Sequence, residues 1–120
     1  MSQSANEYRD LTHGVSSRLA SLRSSTPEVM KSFSDLGRAA TAAGVLDKKT
    51  KELIALAISV AARCDPCIGF HVQTLVKLGT TRQEIDETLG VTTYMGGGPS
   101  LMYAANAIAA FEEFSRSAQV

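Results

Sequence analysis

Residues 48–64 read KKTKELIALAISVAARC and include the longest apolar run of the chain. Its apolar positions between Leu53 and Ala61 cover most of the circumference of a helix, which predicts a central buried helix with Asp47 as its N-cap. The longest apolar run, residues 53–62, has 10 residues, about half of the ~20 that a membrane-spanning helix needs. We therefore expect a buried helix and no membrane partner.

Two helices are predicted before this stretch. Apolar residues at helical spacing indicate a first helix from Asn6 to about Arg23. Pro27, well placed at a first helical position after the candidate cap Thr26, opens a second helix that should stop near Gly44.

Three more helices are predicted after it. Asp65 as N-cap and Pro66 at the first position begin a fourth helix that ends at Gly79. Thr81 and Glu84 form a capping box, which predicts the start of a fifth helix. The glycines and proline of residues 96–99 end that helix, and a sixth helix follows from about Ser100 to Arg116. Four large side chains flank the break at helical spacing, and we expect them to contact the core or another subunit: Tyr94, Met95, Met102 and Tyr103.

The sequence lacks the alternation of apolar and polar residues that is typical of strands, so the predicted fold class is all-α with about six helices. Its 120 residues, without repeats or linkers, indicate one domain, residues 1–120. Aromatic residues make up only 6% and tryptophan is absent, so a lone chain would bury little large side-chain area. We therefore expect a homo-oligomer.

The net charge and the amino-terminal residues indicate which binding partners and which cellular compartment to expect. Twelve basic and twelve acidic residues give a formal net charge of zero, which argues against a nucleic-acid partner. The first ten residues, MSQSANEYRD, lack the basic start and apolar stretch of a secretory signal, so we expect a cytoplasmic protein. Two cysteines in a reducing compartment are typical of catalytic or metal-binding roles.

Three of the candidate reactive side chains lie in residues 64–71, CDPCIGFH. Cys67 lies in the first turn of the fourth helix, where unpaired amide groups and the helix dipole favour a thiolate. His71 follows at i+4 and can take the proton of Cys67, while Cys64 is close enough for a disulfide. An acid would stabilise the histidine, and an antiparallel fourth helix would bring Glu52 near His71 as a proton relay.

Two other interpretations of these residues stay open. Both cysteines could be small core residues without chemistry. Alternatively, Cys64, Cys67 and His71 could bind zinc with Glu52 or His13 as a fourth ligand, although His13 lies in a distant helix.

The segment KELIALAISVAARCDPCIGFHVQTLVKLG and the downstream YMGGGPSLMYAANAI resemble the carboxymuconolactone decarboxylase-like superfamily, in its AhpD-like alkylhydroperoxidase branch. The resemblance covers residues 33 to 114. It implies an all-helical fold that assembles into trimers or hexamers, a redox pair Cys64 and Cys67, and proton transfer through His71 and Glu52. The AhpD pattern has a second histidine directly before the second cysteine, where this chain has Pro66.

The function expected from this resemblance is thiol-dependent oxidation and reduction of a hydroperoxide or a disulfide substrate. A dithiol, such as a lipoyl-type carrier protein, would be the reductant, and the reaction requires no cofactor and no metal. The alternatives are a cysteine-independent lyase of the decarboxylase branch and a zinc-stabilised structural oligomer.

Overall fold

The computed structural model describes residues 6–118, which form helices and no strand. The six helices are α1 (Glu7–Ser25), α2 (Pro27–Thr41), α3 (Lys48–Ala61), α4 (Asp65–Lys77), α5 (Arg82–Gly96) and α6 (Gly98–Ala118). The predicted all-α fold class and number of helices are confirmed.

The core lies where α3, α4, α5 and α6 meet, and α1 packs on α4 and α6. α4 packs against α1, α3 and α6, so it is held by three other helices. The core consists of medium-sized and small side chains, from Leu56, Val60, Ile68, Val72, Leu75, Ile85, Leu89, Ala104, Ala107 and Ala110, closed at its edges by Tyr8 and Phe114.

Two predicted helix starts and one predicted break between helices are confirmed. Asp47 accepts a hydrogen bond from the Thr50 amide and caps α3. Thr81 and Glu84 form the complete capping box of α5. The glycine break separates α5 from α6 at Gly97, whose φ of 75° lies in the region that favours glycine.

Other predicted boundaries are wrong by a few residues. α2 ends at Thr41 instead of near Gly44, and α6 already begins at Gly98, before Ser100. The N-cap of α4 is Cys64, whereas the sequence predicted Asp65. Asp65 is the first residue of that helix because the Cys64 sulfur takes the capping role.

The prediction that α3 is buried around its circumference is wrong for part of its surface. Leu56 and Val60 face the core, but Ile54 and Ile58 remain 46% and 63% exposed. The neighbouring α2 touches α3 at only a small contact and buries none of its own residues. Apolar side chains of α2 are therefore also exposed to solvent in the single chain, and Phe33 is 72% exposed.

None of the helices within residues 6–118 is both long enough and apolar enough to span a bilayer.

Candidate active site

A disulfide joins Cys64 and Cys67 at the start of α4, with their Cα atoms 5.3 Å apart. The chain reaches it from α3 through Arg63, whose φ of 59° is left-handed and allows the sharp turn. The Cys64 sulfur accepts a hydrogen bond from the Cys67 amide at 3.3 Å. Both cysteines are half-buried, so the pair lies at the surface of the helix bundle.

His71 follows Cys67 by one turn of α4, at i+4. Its Nδ1 lies 2.7 Å from Oε2 of Glu52, a residue of α3 that is only 4% exposed. A carboxylate at Nδ1 favours the tautomer in which Nδ1 carries the proton, which leaves the lone pair on Nε2. The structure thus brings together the histidine and the acid that the sequence singled out.

Glu52 has a second, weaker neighbour. Lys48 lies one turn earlier on α3, and its Nζ is 3.7 Å from Glu52 Oε1. The buried carboxylate therefore contacts the imidazole on one oxygen and an ammonium group on the other. Such a group can stabilise an imidazolium once His71 has accepted a proton. The i,i+4 spacing of Lys48 and Glu52 is the sequence signal for this contact.

A polar cluster that the sequence does not predict lies beside the disulfide. Asp65, the residue after Cys64, accepts hydrogen bonds on Oδ1 from the Tyr8 hydroxyl at 3.1 Å and from Asn106 Nδ2 at 3.0 Å. Burial, and then the charge of Asp65, raise the pKa of Tyr8 far above its ordinary value, so Tyr8 remains a neutral donor. No local spacing signals this cluster because its members come from α1, α4 and α6.

α1 is fixed beside the site by two further contacts. Both carboxylate oxygens of the buried Glu113 accept hydrogen bonds from amides in the first turn of α1, those of Tyr8 and Arg9, at 2.8 and 2.9 Å. Gly69 allows close packing, because a Cβ there would lie 2.7 Å from a methyl carbon of Thr12. α4 and α1 therefore pack closely at Gly69.

Within residues 6–118, no group of three or more histidine, cysteine and acidic side chains has the geometry to hold a metal ion. His13, the fourth zinc ligand considered from the sequence, is an exposed residue of α1.

Sequence comparison identifies a family. Residues 27–110 match the carboxymuconolactone decarboxylase family. An uncharacterised protein of Cupriavidus necator is 37% identical over 98 residues, which cover 82% of this chain and 87% of that protein. The alkyl hydroperoxide reductase AhpD of Coxiella burnetii is 35% identical over 52 residues, which cover 43% of this chain and 29% of AhpD.

Solved structures have the same fold. A carboxymuconolactone decarboxylase family protein from Legionella pneumophila is 59% identical and superposes with a TM-score of 0.90, covering 92% of this chain and 98% of its own. A second family protein, from Thermotoga maritima, is 30% identical with a TM-score of 0.80, covering 90% and 92%; it is a candidate for involvement in an antioxidative response.

Proposed function

The chain belongs to the carboxymuconolactone decarboxylase family, and on that premise we propose that it is a thiol-dependent oxidoreductase of the AhpD-like kind. One observation carries the proposal: a Cys64–Cys67 disulfide begins the same helix that holds His71 against the buried Glu52. A redox pair and a positioned base within one turn form the arrangement of an activated thiol.

The peroxide reaction would proceed in balanced steps. His71 takes the proton of Cys67, and the thiolate attacks the O–O bond of a hydroperoxide, giving a sulfenic acid on Cys67 and an alkoxide that leaves as the alcohol after protonation. The Cys64 thiol then condenses with the sulfenic acid, forming the disulfide and releasing water. Glu52 stabilises His71 while the imidazole carries the proton.

An external dithiol would return the pair to its reduced form. Its thiolate attacks one sulfur of the Cys64–Cys67 disulfide, and its second thiol resolves the mixed disulfide, so the two electrons pass to the cysteines. A lipoyl-type carrier protein has the required dithiol. The same exchange without peroxide chemistry is the second candidate activity, favoured by Pro66 at the position where the AhpD pattern has a further histidine.

We propose that the working form, which we place in the cytoplasm, is a homo-oligomer, a trimer or a hexamer. The support is the apolar side chains that the single chain leaves exposed on α2, α3, α5 and α6, among them Phe33, Ile58, Val91, Met95 and Met102. Covering such side chains is favourable by about 25 cal/mol per Å² of apolar surface. Tyr94, Met95 and Met102 lie outside the core of the single chain, in agreement with a role as subunit contacts.

The decisive experiment is a thiol titration of the reduced protein before and after one equivalent of cumene hydroperoxide, with cycling by dihydrolipoamide. We expect two thiols per chain to disappear as a reversible disulfide, no disulfide to form in Cys67→Ser, and oxidation to slow in His71→Ala. A protein that exchanges with dihydrolipoamide but ignores peroxide is a disulfide oxidoreductase alone.

Two results would overturn the redox proposal. Unreactive thiols in a preparation with about one zinc per chain would indicate a structural site. Lactone decarboxylation that persists when both cysteines are replaced by serine would indicate a lyase.

A further inference from the structure

A carboxylate lies between the two cysteines in sequence and is held by two other helices. Asp65 Oδ1 accepts one hydrogen bond from Tyr8 of α1 and one from Asn106 of α6. Both donors are neutral, and no lysine, arginine or histidine within residues 6–118 forms an ion pair with Asp65. The carboxylate is therefore fixed in place without a cation to cancel its charge.

The surroundings of this carboxylate are rigid. Tyr8 is 4% exposed, and its own amide is bound by Glu113, so its hydroxyl has little freedom to move away from Asp65. α1 also packs closely on Gly69, one turn further along α4, and this second contact holds α1 in place. The negative charge thus stays at the first position of α4, directly after Cys64 and two residues before Cys67.

We infer that Asp65 is a positioning residue whose fixed negative charge shifts the Cys64–Cys67 pair toward the disulfide. This inference rests on the redox role proposed above. Reduction takes two electrons and two protons from an external dithiol, which becomes a disulfide, and it leaves two thiols here. Above the pH at which one of them ionises, that thiol releases its proton, and the resulting thiolate lies near a second negative charge.

The N-terminal dipole of α4 and the charge of Asp65 act in opposite directions. The dipole and the free amides of the first turn stabilise a thiolate, which stabilises the reduced pair. The carboxylate repels the thiolate and cancels part of the dipole, so it makes the pair more reducing. The disulfide carries no charge and is not affected by either.

Five other titratable side chains near this site are unchanged in sequence between the native protein and an Asp65→Asn variant. They are Tyr8 with Glu7 and Glu113 on the α1 and α6 side, and the His71–Glu52 pair on the α3 side. Asp65→Asn removes one cause of the raised pKa of Tyr8, but burial, the largest cause, remains, so the phenol stays protonated where a thiol ionises. A change in the thiolate midpoint can therefore be assigned to the cysteines.

The test is Asp65→Asn, which keeps a carbonyl oxygen for Tyr8 and Asn106 but removes the charge. We expect the midpoint of the thiolate absorbance titration to fall by about 0.5 to 1 unit. At a pH above both midpoints, the equilibrium constant for reduction in dithiothreitol buffers should rise about three- to tenfold, or about 15 to 30 mV. At a pH below both midpoints, the two proteins should have the same potential.

Two controls separate charge from packing. Tyr8→Phe removes a donor but keeps the carboxylate, so it should lower Tm while its thiolate midpoint stays close to that of the native protein. Asp35→Asn removes a surface charge from α2, a helix without contact to α4 in the described part of the chain. It should change neither Tm nor the thiolate midpoint.

The inference is overturned if the native pair is reversible but Asp65→Asn leaves its midpoint and potential unchanged. It is also overturned if the potential shifts equally at every pH, or if Tyr8→Phe shifts it by the same amount. A native protein without a reversible disulfide would instead overturn the proposed function, so the two failures are distinguishable.

Discussion

Glu52 Oε2 lies 2.7 Å from His71 Nδ1, although 19 positions separate the two residues in the sequence. The contact joins α3 to α4 and leaves Nε2 as the imidazole nitrogen that can accept a proton. Because Glu52 is buried while His71 is partly exposed, the acid fixes the orientation of the imidazole from the protein side.

Replacing this acid tests its part in the proposed chemistry. In Glu52→Gln the imidazolium loses its stabilising charge, so oxidation of the reduced pair by cumene hydroperoxide should slow by about 100-fold. Stopped-flow measurement of the thiol loss across a pH series would show it. Lys48→Gln is the matched control, because the Lys48 side chain is 45% exposed and its Nζ lies 3.7 Å from Glu52 Oε1, so it should change the rate little. A Glu52→Gln protein with the native pH profile would contradict the relay.

Gly69 sets the spacing of α1 and α4. In Gly69→Ala the new methyl group would lie 2.7 Å from the Thr12 methyl carbon and 3.3 Å from the Tyr8 ring, so we expect a loss of about 1–3 kcal/mol in the free energy of unfolding. Chemical denaturation measures it. Adding Thr12→Ser removes the closer contact and should restore part of the loss.

Gly90 of α5 is the matched control for that substitution. A Cβ there meets nothing within 4 Å, so Gly90→Ala should stabilise the protein by about 0.5–1 kcal/mol. Equal effects at the two glycines would mean that close packing of α1 is not the cause.

Glu113 fixes the beginning of α1 from α6. Glu113→Gln replaces one of the two acceptor oxygens by an amide that cannot accept, and should lower the free energy of unfolding by about 1–3 kcal/mol. Hydrogen exchange should accelerate first at the Tyr8 and Arg9 amides. The exposed neighbour Glu112 provides the control, Glu112→Gln, for which native exchange is expected at both amides.

The Asp47 cap should make the stability of the protein depend on pH. Its hydrogen bonds with Thr50 lower the pKa of the Asp47 carboxyl below the ordinary 3.8. The stabilisation is therefore fully present above pH 3.8 and is lost as the pH falls through the lowered value. Asp47→Ala should lower Tm at neutral pH, and the difference from the native protein should shrink in acid. Asp47→Asn keeps the cap without titrating, and a Tm difference that is the same for both variants at every pH would refute this origin.

Ile58 lies in the apolar surface that we assign to subunit contacts. It lines a shallow groove with Ala57, Ala61, Val91 and Met95, between α3 and α5. A charge there opposes association, so Ile58→Asp should reduce the mass measured by light scattering in solution. Val45→Asp makes the same change at a fully exposed position of the α2–α3 loop and should leave the assembly intact. A native chain that is monomeric at all concentrations would exclude the oligomer.

The helices were predictable because their signals are local. The Thr81 and Asp47 caps and the Pro27 start each lie within a few residues of the helix they begin, and the structure contains them as expected. The approach of Glu52 to His71 was also predictable, since α3 and α4 are joined by a short turn.

The remaining contacts of the site depend on distant partners. Asp65 satisfied the pattern of an N-cap, but its actual donors, Tyr8 and Asn106, lie 57 and 41 positions away. The exposure of Ile58 could not be foreseen either, because an apolar residue has the same pattern whether it faces its own core or another subunit. The left-handed turn at Arg63 occurs without the glycine that would signal it.

The sulfur of Cys64 has two roles, because it forms the disulfide and also caps α4 by accepting the Cys67 amide proton. Gain or loss of two electrons therefore changes the acceptor in the first hydrogen bond of the helix that carries His71. The amide resonance of Cys67 is consequently a spectroscopic reporter of oxidation state that belongs to the protein itself.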